Sequence, residues 1–155
     1  MKQITTKSNH IILVDDDDFD ELNFYVWRVS GGYAYREQWK RNKGTKILMQ
    51  KQILGKLGRG MVTDHIDRNP LNNQRANLRI CTQSENIFNS PKKKSNKSGY
   101  VGVRLRNDIQ TPKWEAYIMK NRIKHHLGLF NLIEEAVEAR SQAEVLLFPN
   151  FTRTK

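Results

Sequence analysis

The chain has 155 residues, room for one ordinary domain or two or three small modules, with 27 lysines and arginines against 16 aspartates and glutamates and a formal charge of +11. Its one cysteine, Cys81, rules out a disulfide framework and a four-cysteine zinc site. No apolar run reaches the ~20 residues of a membrane span, and the opening MKQITTKSNH lacks the apolar core of a signal peptide.

An excess of positive charge favours a polyanionic partner, most simply nucleic acid. The expectation is a soluble, cytoplasmic protein in a reducing compartment, with Cys81 a small buried residue. Residues 1–58 read as a small β-rich segment. Strand-like pieces at Ile11–Val14, Tyr25–Val29, Tyr33–Arg36 and Lys46–Met49 are separated by turn signals at Gly31-Gly32 and Lys43-Gly44. The acidic run Asp15–Asp18 reads as a solvated turn rather than a second metal site, because consecutive acids rarely converge on one ion.

Residues 59–89 read strand, polar loop, strand, short helix. Met61–Ile66 is the first strand and Leu78–Cys81 the second. The loop between them holds Asp67, Asn69, Pro70, Asn72 and Asn73, residue types that favour turns. Thr82-Gln83-Ser84-Glu85 has the form of a capping box and starts a helix that continues through Asn89. Residues 90–98 (SPKKKSNKS) read as a basic linker.

From residue 99 to 155, Tyr100–Arg104, Lys113–Met119 and Arg122–Leu127 read as three strands. Glu134–Leu147 reads as an amphipathic helix with Ala136, Ala139, Ala143 and Leu146 at spacings of three and four. The residues after Asn89 carry 13 lysines and arginines against 6 acids, so +7 of the charge lies here. The fold expected is α+β, with a β-rich start, a ββα centre and a three-stranded sheet backed by a helix.

DHIDRNPLNNQRANLRICT followed by SENIFN resembles the HNH endonuclease motif, particularly its phage and intron-encoded branch. The resemblance is strong over about 30 residues. It implies a ββα-metal nuclease in which His65 is the general base, Asp64 a metal ligand, and Asn77 a middle asparagine that buttresses the loop and helps hold His65. Asn86 stands at the last motif position as the second ligand, where many relatives have histidine. The chemistry suits those residue types. A histidine with pKa near ~6.5 can take a proton from water. A carboxylate and an amide carbonyl are hard oxygen ligands that favour Mg²⁺ or Mn²⁺ and leave room for water and phosphate. Neighbouring strand residues point to opposite faces, so Asp64 and His65 are expected at the end of their strand. Arg68 could steady a phosphate.

Ser98–Arg106, Lys113–Ile118, His126–Phe130 and Glu134–Ala136 are together similar to the AP2 DNA-binding domain. That resemblance implies a sheet in the major groove of double-stranded DNA, with Arg104, Arg106 and Trp114 on the DNA-facing sheet. Lys120, Arg122 and Lys124 then read as phosphate contacts. Met119 and His126 stand where the plant form has arginine and tryptophan, so base specificity does not carry over.

The two resemblances together imply a metal-dependent DNA endonuclease with one divalent ion, a nicking enzyme when monomeric, and a mobile-element or phage homing role. A second reading is a non-catalytic DNA-binding regulator with a degenerate HNH fold. A third, an RNA-binding protein, has no RNP-like aromatic pattern behind it.

Overall fold

Alternation along Ile11–Val14 puts Ile12 and Val14 on one side of a strand. Both are fully buried in the computed structural model, which describes residues 1–90, 95–149 and 151. The chain is a mixed α+β protein whose contacts divide it into two compact units, Met1–Gln83 and Ser84–Lys155. The division falls within the 59–89 segment.

In the first unit, β1 (Lys2–Thr5) pairs antiparallel with β2 (Ile11–Val14). Helix α1 (Asp16–Asn23) leads to a second antiparallel sheet of β3 (Arg28–Ser30), β4 (Tyr33–Lys40) and β5 (Lys43–Leu48), followed by α2 (Met49–Leu54). Ile12, Val14, Leu22, Trp27, Met49 and Leu78 meet in one apolar cluster. The buried indole of Trp27 donates to the Leu22 carbonyl at 2.7 Å, tying the chain to the end of α1.

Three local expectations are corrected here. Asp15–Asp18 is not a solvated turn: Asp15 is the cap position of α1, and Asp16, Asp17 and Asp18 occupy its first turn, where carboxylates meet the positive end of the helix. Only Arg28–Ser30 pairs out of the Tyr25–Val29 stretch and its neighbour. The β4–β5 turn lies at Arg41-Asn42 rather than Lys43-Gly44, with φ of 49° and 61°. Two successive positive φ values give a hairpin turn whose twist matches that of the strands. β1, α1 and α2 carried no usable pattern: each is short, and Leu22 is the buried residue of α1.

β6 (Met61–His65) and β7 (Leu78–Thr82) form an antiparallel ribbon with Asp64 opposite Arg79 and His65 opposite Leu78. The intervening loop is fastened to β2. Leu13 donates its N–H to the Leu71 carbonyl at 2.9 Å and accepts from the Asn73 N–H at 2.8 Å. A 3-10 turn at Arg75–Asn77 closes the loop. Cys81 is buried in β7, as its size and chemistry led one to expect.

Helix α3 (Gln83–Asn89) begins directly after Thr82. In the second unit β8 (Val103–Arg106), β9 (Lys113–Lys120) and β10 (Ile123–Phe130) make an antiparallel sheet with β9 in the middle. Helix α4 (Ile133–Leu147) covers one face, packing Ala136 against Val103 and Ala116, with Trp114 and Phe130 at the margin. The α4 face differs from the expected one. Ala136, Arg140 and Ala143 are buried, while Leu146 is 79% exposed, because a 3.6-residue period carries the stripe from 136 through 140 and 143 past residue 146. Gly102 makes this possible. A Cβ there would sit 2.3 Å from the Tyr117 carbonyl oxygen and 2.4 Å from Arg140 Nε. The stack of Phe88 on Phe148, with ring centroids 4.4 Å apart, holds α3 in the same unit. Of the basic stretch 90–98, residues 91–94 lie outside the described residues. Asn96 and Ser98 belong to an ordered turn in which the Ser98 hydroxyl donates to the Val103 carbonyl at 2.6 Å.

Candidate active site

The loop between β6 and β7 is held by side-chain amides, and the sequence explains how. Asparagine and aspartate satisfy backbone groups one or two residues away, which lets a long turn close without an apolar core. Asp67 accepts the Asn69 N–H at 2.8 Å, and Asn69 accepts the Leu71 N–H at 3.1 Å. Asn77 is the buttress. Its amide donates to Asp67 Oδ1 at 2.9 Å and to the Asn72 carbonyl at 2.8 Å, while its Oδ1 accepts the Asp67 N–H at 2.9 Å. Burial pushes the Asp67 carboxyl up, but the amides of Asn69, Asn72 and Asn77 outweigh it and leave it below the ordinary aspartate value.

His65 ends β6 and is buried. Its Nε2 lies 3.4 Å from Oδ1 of Asn73, a side chain with no exposed surface, and its ring centroid lies 6.0 Å from that of Tyr33. Burial lowers the imidazole below its ordinary value, against the opposing hydrogen bond from Asn73 and the charges of Asp67 and Asp64. The neutral form, the one able to accept a proton, therefore predominates at pH 7. Asp64, one residue earlier, is buried beside Arg79. Arg79 Nε and Nη2 donate to Asp64 Oδ2 at 2.8 and 2.6 Å. The two side chains thus serve different surroundings from the last two positions of one strand.

The acidic run at the start of α1 belongs to this frame. Asp15 accepts the backbone N–H of Arg75 at 2.7 Å and the side-chain amide of Gln74 at 3.3 Å. Asp18 takes both arms of the Arg75 guanidinium at 2.8 and 2.7 Å. Arg68 stands at the tip of the loop, exposed and with φ of 64°. Asn86 is half-buried on α3 and belongs to the second unit.

Among the described residues no group of three or more His, Cys, Asp or Glu side chains forms a metal cage. Asp64 in the first unit offers a carboxylate and Asn86 in the second an amide oxygen, and both are hard donors of the kind that suits Mg²⁺ or Mn²⁺. Sequence reasoning passed over Arg79, Tyr33 and the contact between Asn73 and His65. The first was within reach. A ribbon with His65 opposite Leu78 sets residue 79 directly across from residue 64.

The second unit divides the cations proposed for DNA. Arg104, Arg106 and Lys124 gather around Glu115, which is 1% exposed, on the sheet face away from α4. Arg104 Nε lies 2.6 Å and Arg106 Nη1 3.6 Å from Glu115 Oε2, and Lys124 Nζ lies 2.5 Å from Oε1. Burial raises the Glu115 carboxyl, and hydrogen bonds from Lys124 and Arg104 reverse that and bring it down to about 2. Arg106 also pairs with Asp108 at 2.6 Å. Lys120 is not part of this group: its ammonium donates to the Leu147 carbonyl at the end of α4 at 2.9 Å. Trp114 packs on the α4 side, and Arg122 lies in the β9–β10 turn with φ of 67°.

Comparison with known proteins finds relatives of this chain. The family model for the HNH endonuclease matches residues 43–87. A protein of Acanthamoeba polyphaga mimivirus described as an uncharacterized HNH endonuclease is 35% identical over 136 residues, covering 87% of this chain and 69% of that protein. Protein 3.8 of Escherichia phage T7 is 32% identical over 101 residues, covering 65% of this chain and 81% of the phage protein. No solved structure matches the chain.

Proposed function

The chain belongs to the HNH endonuclease family, and from that we propose that it is a metal-dependent endonuclease that hydrolyses phosphodiester bonds of duplex DNA. The observation that carries the reading is the burial of His65 and Asp64 together at the end of β6, on a loop locked by Asn77. His65 takes a proton from water as the water oxygen attacks phosphorus. The bond from phosphorus to the leaving oxygen breaks, and that oxygen is protonated from solvent. Asn77 and Asn73 act on His65 and its loop and are positioning residues. Asp64 and Asn86 would hold one Mg²⁺ or Mn²⁺, which supplies charge neutralisation at the phosphate and the leaving oxygen.

In this reading the second unit anchors the chain to DNA as an AP2-like module, through the open sheet face that carries Arg104, Arg106 and Lys124. One such centre per chain makes nicking the activity of a monomer, in keeping with a homing role in a phage or other mobile element. No helix among the described residues is long and apolar enough to cross a membrane.

Supercoiled plasmid incubated with the protein and Mg²⁺ or Mn²⁺ tests this. Nicked circles are expected with metal, and none with EDTA or with His65→Ala. Tight binding without cutting on any substrate or metal would replace the endonuclease with a DNA-binding regulator.

A further inference from the structure

Residues 37–46, the outer part of the β4–β5 hairpin, are all exposed. The base of the hairpin is secured in the first unit: Arg36 Nε donates to Gln52 Oε1 at 2.6 Å, and its guanidinium lies 4.2 Å from the Tyr25 ring centroid. Beyond that point the ribbon projects with Lys40, Arg41, Lys43 and Lys46 against a single acid, Glu37, which Arg28 neutralises at 3.0 Å.

Two features distinguish the ribbon. Trp39 pairs across the ladder with Gly44, and a Cβ on Gly44 would lie 3.3 Å from the indole, so the missing side chain lets the ring lie flat over the neighbouring strand. Lys40 stands directly opposite Lys43, on one face of the ribbon beside the Arg41-Asn42 turn. Like charges directly opposite each other destabilise a ladder. A polyanion placed between them removes that repulsion.

We infer that the β4–β5 hairpin is a second contact for duplex DNA, with Lys40, Arg41 and Lys43 against phosphates and the ribbon seated in the major groove. The inference rests on the DNA substrate proposed above. The groove, about 12 Å wide, admits a two-stranded ribbon, and the charge of the hairpin end complements the phosphates along its walls.

The test measures binding rather than cutting. Full-length protein carrying His65→Ala is titrated against a fluorescent duplex over a range of salt. A combined Lys40→Gln, Arg41→Gln, Lys43→Gln variant of the same protein is expected to show a log K against log salt slope shallower by about 2 to 3, since each lost phosphate contact removes about 0.9. Its urea unfolding midpoint is expected to be unchanged or slightly raised. A matched variant with Lys7, Lys51 and Lys56 changed to glutamine, also exposed cations of the first unit, is expected to keep the parent slope. An unchanged slope in the hairpin variant, an equal change in the control, or a larger loss for single-stranded RNA than for the duplex would overturn the inference while leaving the endonuclease reading intact. A parent that binds no duplex overturns both.

Discussion

Asp64 on β6 and Glu115 on β9 are both buried strand carboxylates that meet cations across an antiparallel ladder. Arg79 places two N–H groups on one oxygen of Asp64. Glu115 has Arg104 and Arg106 on one oxygen, Lys124 on the other, and His126 at 3.8 Å. The first carboxylate is followed directly by His65 at the end of its strand. The second leaves its surroundings positive and fixes the cations in place. A buried acid on a sheet can thus fix an arginine across a ribbon, as at Asp64, or gather several cations on one face, as at Glu115.

The largest expected effect tests that distinction directly. If Asp64 holds the proposed ion, Asp64→Asn should lower plasmid nicking at least about 100-fold while leaving duplex affinity within about threefold. Glu115→Gln should do the reverse, weakening duplex binding but leaving the nicking rate at saturating DNA close to the parent's. If Glu115→Gln stops cutting at saturation, the two carboxylates are not separate in function.

Next in size is the loop frame. Asn77→Ala removes three hydrogen bonds around Asp67 and Asn72 and should cost about 3 kcal/mol in urea unfolding, because the groups it leaves lose buried partners. Asn77→Asp keeps the acceptor for the Asp67 N–H but loses both donors and sets a second carboxylate against that of Asp67, so it should recover none of the loss at neutral pH. A variant that keeps parent stability but loses cutting would move Asn77 from the frame into the chemistry.

Glu115 also makes a prediction in pH. Its carboxyl is held at about 2 in the folded chain, against an ordinary 4.5. A depressed acid contributes stability that is present above 4.5 and is lost as pH falls from there towards 2. The contribution should be up to about 3 kcal/mol, reduced because the Arg104 and Lys124 heads are half exposed to water. Glu115→Gln should flatten the acid limb of the stability profile in that window, and an unchanged limb would show that other acids account for it. The smallest effect belongs to Arg106, whose partner Asp108 is largely exposed. Arg106→Gln should alter stability by about 0.5 kcal/mol or less and make the salt slope for duplex binding shallower by about 1.

The stretch 59–89 was the most legible part of the sequence. Strands at 61–66 and 78–81 and a helix after Thr82 were readable because turn-forming asparagines and a capping pattern are local signals that agree with one another. The N-terminal helices were not. Asp15–Asp18 looks like any solvated acidic run until Arg75, 57 residues from Asp18, closes on it. Leu146, expected on the buried stripe, is exposed, and Arg140 is buried instead, because an arginine can be buried where a glycine yields it room, and that glycine lies just before β8.

By itself the sequence determined the charge, the turn-rich loop and the identity and order of Asp64, His65, Asn77 and Asn86, all properties carried by residue type and near neighbours. The tertiary structure alone decided which cation meets which acid: Arg79 with Asp64, Arg104 and Lys124 with Glu115, and Lys120 with the end of α4 rather than with them. Strand register and helix packing set those partners. Side chains on successive positions of a strand face opposite ways, so residues close in sequence, such as Lys120 and Lys124, come to serve opposite faces once β9 and β10 have paired.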